Sequence, residues 1–139
     1  MNVEINYVGV VLATLSTMVV GSIWYTPKVF GNAWMKMAGL KRSEMEKNGM
    51  KPILITLVVS LLTAYVLAHV AFLSNQYFKH SFLQDSVTTA FWVWLGFTAA
   101  RIITHDSFEG RRKKLTLLTI SHELCTFLVM GLIIGLVGV

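Results

Sequence analysis

The sequence predicts an all-α integral membrane four-helix bundle, with a short interfacial amphipathic helix after the first span. Three observations predict it. The 139-residue chain is 55% apolar and only 14% charged, with a mean hydropathy of +0.63. Its apolar residues form four runs, each near the length of about 20 residues that crosses a bilayer. Most Lys and Arg residues lie between these runs, a pattern typical of membrane topology rather than of nucleic-acid binding.

A single membrane domain is expected over residues 1–139. The predicted spans are 7–24, 53–73, 86–104 and 115–137, with an interfacial segment at 28–50. Pro52 suits the first turn of the second span, where no backbone N–H is needed. Small residues spaced along the first and last spans predict close helix packing: Gly9, Ala13, Thr17 and Gly21, and then Gly131, Gly135 and Gly138.

The segment after the first span is rich in aromatic side chains. Apolar residues recur there at three- and four-residue spacing, which favours a short helix lying in the interface. Ser43 and Glu46 have the spacing of a capping box, which predicts a second short helix. Four aromatic rings are predicted to contact lipid or a partner: Trp24, Tyr25, Phe30 and Trp34.

Loop charge predicts the orientation in the membrane. The first loop holds six Lys and Arg residues, the second holds one and the third holds four. Because basic loops stay in the cytoplasm, the first and third loops are expected there and both termini outside, in the cell (inner) membrane. The basic run 111–114 mainly carries this signal, with a specific anionic-lipid site as an alternative. A chain with only Cys125 forms no internal disulfide.

Two ionisable residues interrupt the fourth apolar run. Glu123 lies about 12 Å from the start of the run and follows His122. Burying such a charge costs at least about 2.5 kcal/mol, so Glu123 is expected to face the protein interior or a wet cavity. Arg101, near the end of the third span, is the predicted counter-charge. Three hydroxyl side chains share the face of Glu123 and are predicted to line a polar path: Thr116, Thr119 and Thr126.

Two functions from different classes follow. The first is a homo-oligomeric channel or transporter-like protein for protons or small cations, with Glu123 in the path and His122 as its modulator. A homo-oligomer is expected because four short spans enclose little volume. The alternative is a non-transporting scaffold, or a subunit that contacts lipids or another protein, in which an Arg101–Glu123 pair merely stabilises the bundle.

No enzyme, cofactor or metal site is predicted. The chain has no H-E-x-x-H pair, no phosphate-binding glycine loop and no G-x-S-x-G elbow. A metal site of His122, Glu123 and Cys125, aided by His105, Asp106 or Glu109, is chemically allowed. Adjacent residues point about 100° apart on a helix, however, and no repeated ligand spacing is present.

Three segments carry a family resemblance. They read Gly21-Ser-Ile-Trp24-Tyr25-Thr-Pro27-Lys-Val-Phe30-Gly31-Asn-Ala-Trp34, then Trp94-Leu-Gly96-Phe97, and Phe108-Glu109-Gly110-Arg111. Together they resemble a family of small four-span prokaryotic membrane proteins, the domain of unknown function numbered seventeen sixty-one. The resemblance covers nearly the whole chain. It implies the four-span architecture and supplies no reaction, ligand or established site.

Overall fold

Residues 3–139, which the computed structural model describes, form four long helices and two short ones. Three of the long helices are uninterrupted α-helices: α1 (Tyr7–Trp24), α4 (Lys51–Phe78) and α7 (Lys113–Val137). The third long helix, Phe82–Phe108, consists of α5 (Phe82–Val93), a π-helical stretch (Trp94–Ala99) and α6 (Ala100–Phe108). The short helices α2 (Gly31–Ala38) and α3 (Arg42–Lys47) follow the first span. All four long helices are apolar enough to cross a membrane.

Local sequence explains where the long helices begin. The side chain of Asn6 accepts hydrogen bonds from the backbone N–H groups of Val8 and Gly9, at 3.1 and 3.4 Å. Ser81 caps α5 in the same way, and Pro52 opens α4. The second, third and fourth helices extend past the predicted spans, because hydropathy marks only the apolar part of a helix and not its polar ends.

The predicted capping box at Ser43 and Glu46 is wrong. Helix α3 begins at Arg42, so Ser43 already lies inside the helix. The backbone N–H of Lys41 instead donates to the side chain of Glu44, at 3.4 Å. The cap residue and its acidic partner are therefore Lys41 and Glu44, each two residues earlier than predicted.

The long helices pack as a square bundle. Each contacts its neighbour in the chain, and α7 closes the square against α1. This arrangement confirms the predicted all-α bundle of four spans. The ends of α1 and α6 lie together with the starts of α4 and α7. We call this the basic end, because the Lys- and Arg-rich segments 25–50 and 109–114 lie there.

Small side chains dominate the core of the bundle. Ala13, Ala64 and Ala90 are completely buried, and such residues let helix backbones approach closely. Thr17 is also buried and is hydrogen-bonded to Ser60 on α4, with 3.1 Å between the two oxygens. Helices α1 and α4 are thus joined by a polar contact as well as by close packing.

The glycines of α7 differ in their surroundings. A Cβ atom at Gly131 would lie 2.7 Å from Cβ of Ala90, and one at Gly135 would lie 2.7 Å from Cα of Leu83. Both glycines are therefore needed for the contact between α7 and α5. Gly138 has no such neighbour within 4 Å and ends the helix with φ of +81°. The predicted packing role therefore does not extend to Gly138.

Replacing Gly131 by alanine is expected to destabilise the bundle by about 1–3 kcal/mol, the usual cost of overpacking a core. The new methyl group would also lie 2.9 Å from the carbonyl oxygen of Ser86, so the backbone itself must shift. The matched control is Gly96→Ala, because a Cβ there meets nothing within 4 Å. Thermal unfolding in detergent should show a lower melting temperature for Gly131→Ala alone. Equal melting temperatures for both variants would contradict the close packing.

Helix α4 leaves the bundle towards the basic end. It packs closely on α5 but hardly on the π-helical stretch or α6. Ser60 is buried, whereas residues 51–59 are exposed apart from a half-buried Leu57. The bundle is therefore open on one side at the level where Glu123 lies.

Candidate functional site

His122 and Glu123 lie beside each other on α7. Their side chains are 13% and 32% exposed, and Nδ1 of His122 is 3.3 Å from Oε1 of Glu123. Adjacent residues point about 100° apart on a helix, but the side chains of His122 and Glu123 turn towards each other and so come into contact. A proton on Nδ1 would be donated to the carboxylate, and a doubly protonated imidazole would form an ion pair with it.

Three of the four aromatic residues predicted to face lipid or a partner are half-buried in the structure. The rings of Trp24 and Tyr25 lie 5.8 and 5.0 Å from the ring of His122. Phe30 packs on Trp24 at 4.6 Å, and Trp34 packs on Tyr25 at 5.1 Å. We call these four residues and His122 the aromatic cluster. The two sets of residues that the sequence singled out separately therefore form one site.

The backbone after α1 folds back to bring the aromatic cluster together. The N–H of Phe30 donates to the carbonyl of Trp24, and the N–H of Gly31 donates to that of Thr26, at 3.1 and 2.8 Å. Helix α2 then packs against α7. Gly21 adds space on α1, since a Cβ there would be 3.8 Å from Nε2 of His122.

Two nitrogen atoms within the aromatic cluster are buried. Nε1 of Trp24 and Nε2 of His122 have no hydrogen-bond partner among residues 3–139. Such groups are costly to bury unless a water or ligand satisfies them. The aromatic cluster therefore contains two buried polar atoms that still need a hydrogen-bond partner, which is unusual for a contact that only packs side chains together.

Tyr25 links the aromatic cluster to nearby charges. Burial raises the pKa of its phenol, the negative charge of Glu123 raises this pKa further, and the positive charge of Arg111 lowers it. The net effect is a pKa above the usual range. Tyr25 therefore stays protonated at neutral pH and keeps a hydroxyl donor close to Glu123.

The other side of Glu123 lines a cavity of about 300 Å³ between α4, the π-helical stretch and α7. Apolar side chains complete the walls. Five hydroxyl side chains line the same cavity: Thr56, Ser60, Thr63, Thr98 and Thr126. Glu123 is thus the charged group of a cavity that is otherwise apolar and hydroxylic.

The hydroxyl groups of the cavity mostly present oxygen lone pairs. Thr56, Thr63 and Thr126 each donate their proton to the backbone carbonyl four residues earlier, at 2.8–3.0 Å. Thr17 already donates its proton to the carbonyl of Thr14, so the hydroxyl of Ser60 is the donor in its hydrogen bond with Thr17. A hydroxyl whose proton is already used can act only as an acceptor. Together with the Glu123 carboxylate, this lining suits a cation, a hydronium ion or water better than an anion.

The predicted pairing of Arg101 with Glu123 is absent from residues 3–139, where Glu123 has only His122 as an ionisable partner within 4 Å. Arg101 is exposed on α6. The prediction rested on the depths of Arg101 and Glu123 in the membrane, and depth does not decide which face of a helix a residue occupies. The π-helical stretch just before α6 also changes the rotation of α6 relative to a continuous α-helix.

The threonine stripe on α7 divides between two places. Thr126 lines the Glu123 cavity, and Thr119 donates to the carbonyl of Leu115 at 3.0 Å. Thr116 instead donates to Oδ2 of Asp106, at 2.5 Å. The stripe therefore reaches from the basic end to Glu123, although only Thr126 shares a cavity with Glu123.

Sequence reasoning missed the hydroxyl groups of α4. Thr56, Ser60 and Thr63 have helical spacing within an apolar span, and this pattern was a usable signal. It missed Thr98 as well, for which the sequence carries no comparable signal. The metal alternative is not assembled, because residues 3–139 contain no group of three or more His, Cys, Asp and Glu side chains that could hold an ion.

Two buried carboxylates stabilise the short connections of the bundle, one between α4 and α5 and the other between α6 and α7. Asp85 accepts hydrogen bonds from Nδ2 of Asn75 at 2.8 Å and from Nδ1 of His80 at 3.0 Å. Asp106 accepts from Thr116 and, at 3.3 Å, from Arg111 at the basic end. Neither aspartate was predicted to have this role, although each lies near a helix end beside polar residues.

The chain matches a known family of proteins. A family model described as "Protein of unknown function (DUF1761)" matches residues 8–135. The chain belongs to the DUF1761 family. This confirms the resemblance inferred from the aromatic segments. Nothing among curated proteins or solved structures matches this DUF1761 member.

Proposed function

We propose that this DUF1761 member is a multi-pass membrane protein that binds protons or small cations at Glu123 and passes them across the membrane. The observation that carries the proposal is the Glu123 cavity. It combines one carboxylate with hydroxyl oxygens that act as acceptors. Carboxylate and hydroxyl oxygens are hard ligands, which favour protons and hard cations.

The threonine stripe of α7 supports passage as well as binding, because it reaches from the basic end to Glu123 within a membrane-spanning helix. In this proposal the basic end faces the cytoplasm, as loop charge predicts.

Self-association is part of the proposal. Glu123 is one-third exposed although it lies within an apolar span. A carboxylate at such depth is not stable against lipid, so water or protein must cover it. The side left open by α4 suits a second copy of the chain, which would complete the wall of the Glu123 cavity.

The scaffold alternative has less support. It rested on an Arg101–Glu123 pair that would neutralise the buried charge. Among residues 3–139 no such pair is present, and the nearest ionisable partner of Glu123 is His122. The position of Glu123 within an apolar span is therefore not explained by an ion pair with Arg101.

The test is proton and cation flux into liposomes that contain the purified protein. Glu123→Gln keeps the size of the side chain and removes its charge, so flux is expected to fall to the level of empty liposomes. Glu109→Gln is the matched control, because Glu109 is an exposed carboxylate outside the Glu123 cavity, and it should retain native flux. Both variants must first reconstitute as the same oligomer as the native chain.

Two results would overturn the proposal. One is native flux in the Glu123→Gln variant, which would remove Glu123 from any path. The other is the absence of flux above empty liposomes for the native protein over a range of pH and voltage, with Na⁺, K⁺ and protons each tested.

A further inference from the structure

A cavity of about 610 Å³ at the basic end has two chemically different parts. Its mouth carries the basic side chains Arg111 and Lys113, and its inner wall is apolar. The apolar wall consists of three side chains from α6 and α7: Ile103, Leu117 and Ile120. Leu117 and Ile120 lie about 6 and 10 Å deeper along α7 than Lys113.

Arg111 is held in place at this mouth. Asp106 is only 5% exposed, and its Oδ1 accepts a hydrogen bond from Nη1 of Arg111 at 3.3 Å. Its backbone carbonyl accepts a second one from the N–H of Arg111, at 2.9 Å. A guanidinium has five N–H donors, and the side chain remains 36% exposed. Arg111 is therefore positioned by a buried carboxylate, while most of its N–H donors remain available for a further partner.

The charge around the mouth is positive. The connection from Asp106 to Lys114 contains four basic residues and two carboxylates, and Arg111 already offsets the carboxylate of Asp106. Lys113 makes no ion pair within residues 3–139. The mouth is therefore complementary to a singly or doubly negative group.

We infer that this cavity binds an anionic phospholipid. Arg111 and Lys113 hold the phosphate, because charge-assisted hydrogen bonds to phosphate are strong and Arg binds it at two points. An acyl chain lies along the apolar wall, which begins about one turn below the basic mouth. A free phosphate ion would use the mouth and leave the apolar wall empty. The order of charge above and apolar surface below matches a lipid at the membrane boundary.

The test uses purified protein in an uncharged detergent, with bound lipid counted by native mass spectrometry. Dioleoyl phosphatidylglycerol is expected to be retained in preference to dioleoyl phosphatidylcholine. Lys113→Gln and Arg111→Gln should each weaken retention by about fivefold, the usual effect of one basic side chain near an anionic lipid surface. Arg112→Gln and Lys114→Gln remove the same charge beside the cavity but not in its lining, and they should retain the lipid as the native chain does.

The control variants Arg112→Gln and Lys114→Gln distinguish a specific lipid site from general attraction of lipid to the basic loop. Equal losses in all four variants would show diffuse attraction of lipid to a basic loop and would overturn the site. Retention of glycerophosphoglycerol, which has the same phosphate and no acyl chain, as strongly as the lipid would show a phosphate site without an acyl chain, and would also overturn it. Lys113→Gln decides the matter if Arg111→Gln unfolds the connection, because Lys113 is not part of the Asp106 network.

Discussion

Replacing Gly31 by alanine is expected to open the aromatic cluster and to lower stability strongly. A Cβ atom at this position would lie 2.2 Å from the carbonyl oxygen of Tyr25 and 2.8 Å from the carbonyl carbon of Thr26. These are backbone atoms, so no side-chain rotation relieves the overlap. The hydrogen bond from Gly31 to Thr26 must break, and α2 must then move away from the end of α1.

Tryptophan fluorescence and thermal unfolding in detergent measure the effect of Gly31→Ala. Emission should shift to longer wavelength, and quenching by acrylamide should increase, because Trp24 and Trp34 leave the aromatic cluster. Gly96→Ala adds the same methyl group in open space and should change neither signal. A native emission maximum and melting temperature in Gly31→Ala would show that α2 does not fold back as described.

Replacing Asp106 by alanine is the second large effect, and it concerns the connection between α6 and α7. The variant removes the acceptor used by Thr116 and by Arg111. A hydrogen bond to a charged group contributes about 1.5–3 kcal/mol, and the partial exposure of Arg111 reduces its share. We therefore expect the free energy of unfolding to fall by roughly 2–4 kcal/mol.

Hydrogen exchange and thermal unfolding test this prediction for Asp106. The backbone amides at the start of α7 should exchange faster in Asp106→Ala, since Thr116 and Arg111 lose their anchor. Glu109→Ala is the control because it removes an exposed carboxylate from the same connection. If both variants lost the same stability, the buried hydrogen bonds of Asp106 would not be what holds the connection.

The sequence was sufficient to predict the four spans, and it marked Glu123 as an unusual residue within one of them. Hydropathy is a local property, and Pro52 marks the start of a helix through its own missing N–H. The cost of placing Glu123 in an apolar run is likewise independent of its neighbours. These inferences needed no knowledge of which helix lies next to which.

The remaining features depend on how helices rotate and meet. The face of α6 that carries Arg101 does not follow from its depth in the membrane, and the π-helical stretch before α6 has no clear sequence signal. The contacts of His122 with Trp24 and Tyr25 depend on α1 ending at the level of His122, about 14 Å from the start of α7. The position of Asp106 opposite Thr116 depends in turn on the geometry of a tight connection. Each of these follows from tertiary structure and not from periodicity.

The walls of the Glu123 cavity differ in how tightly they are packed against the rest of the bundle. On one side, α7 is tied to α6 through Asp106 and to the end of α1 through the aromatic cluster. On the other side, the first nine residues of α4 extend about 14 Å beyond Ser60 with little packing against the bundle. Ser60, which is hydrogen-bonded to Thr17, is the first residue of α4 that is buried. If the start of α4 rotates, the width of the cavity changes without any change in the packing of α7. We therefore expect the volume open to a guest beside Glu123 to follow the position of α4, whose first nine residues pack least at this level.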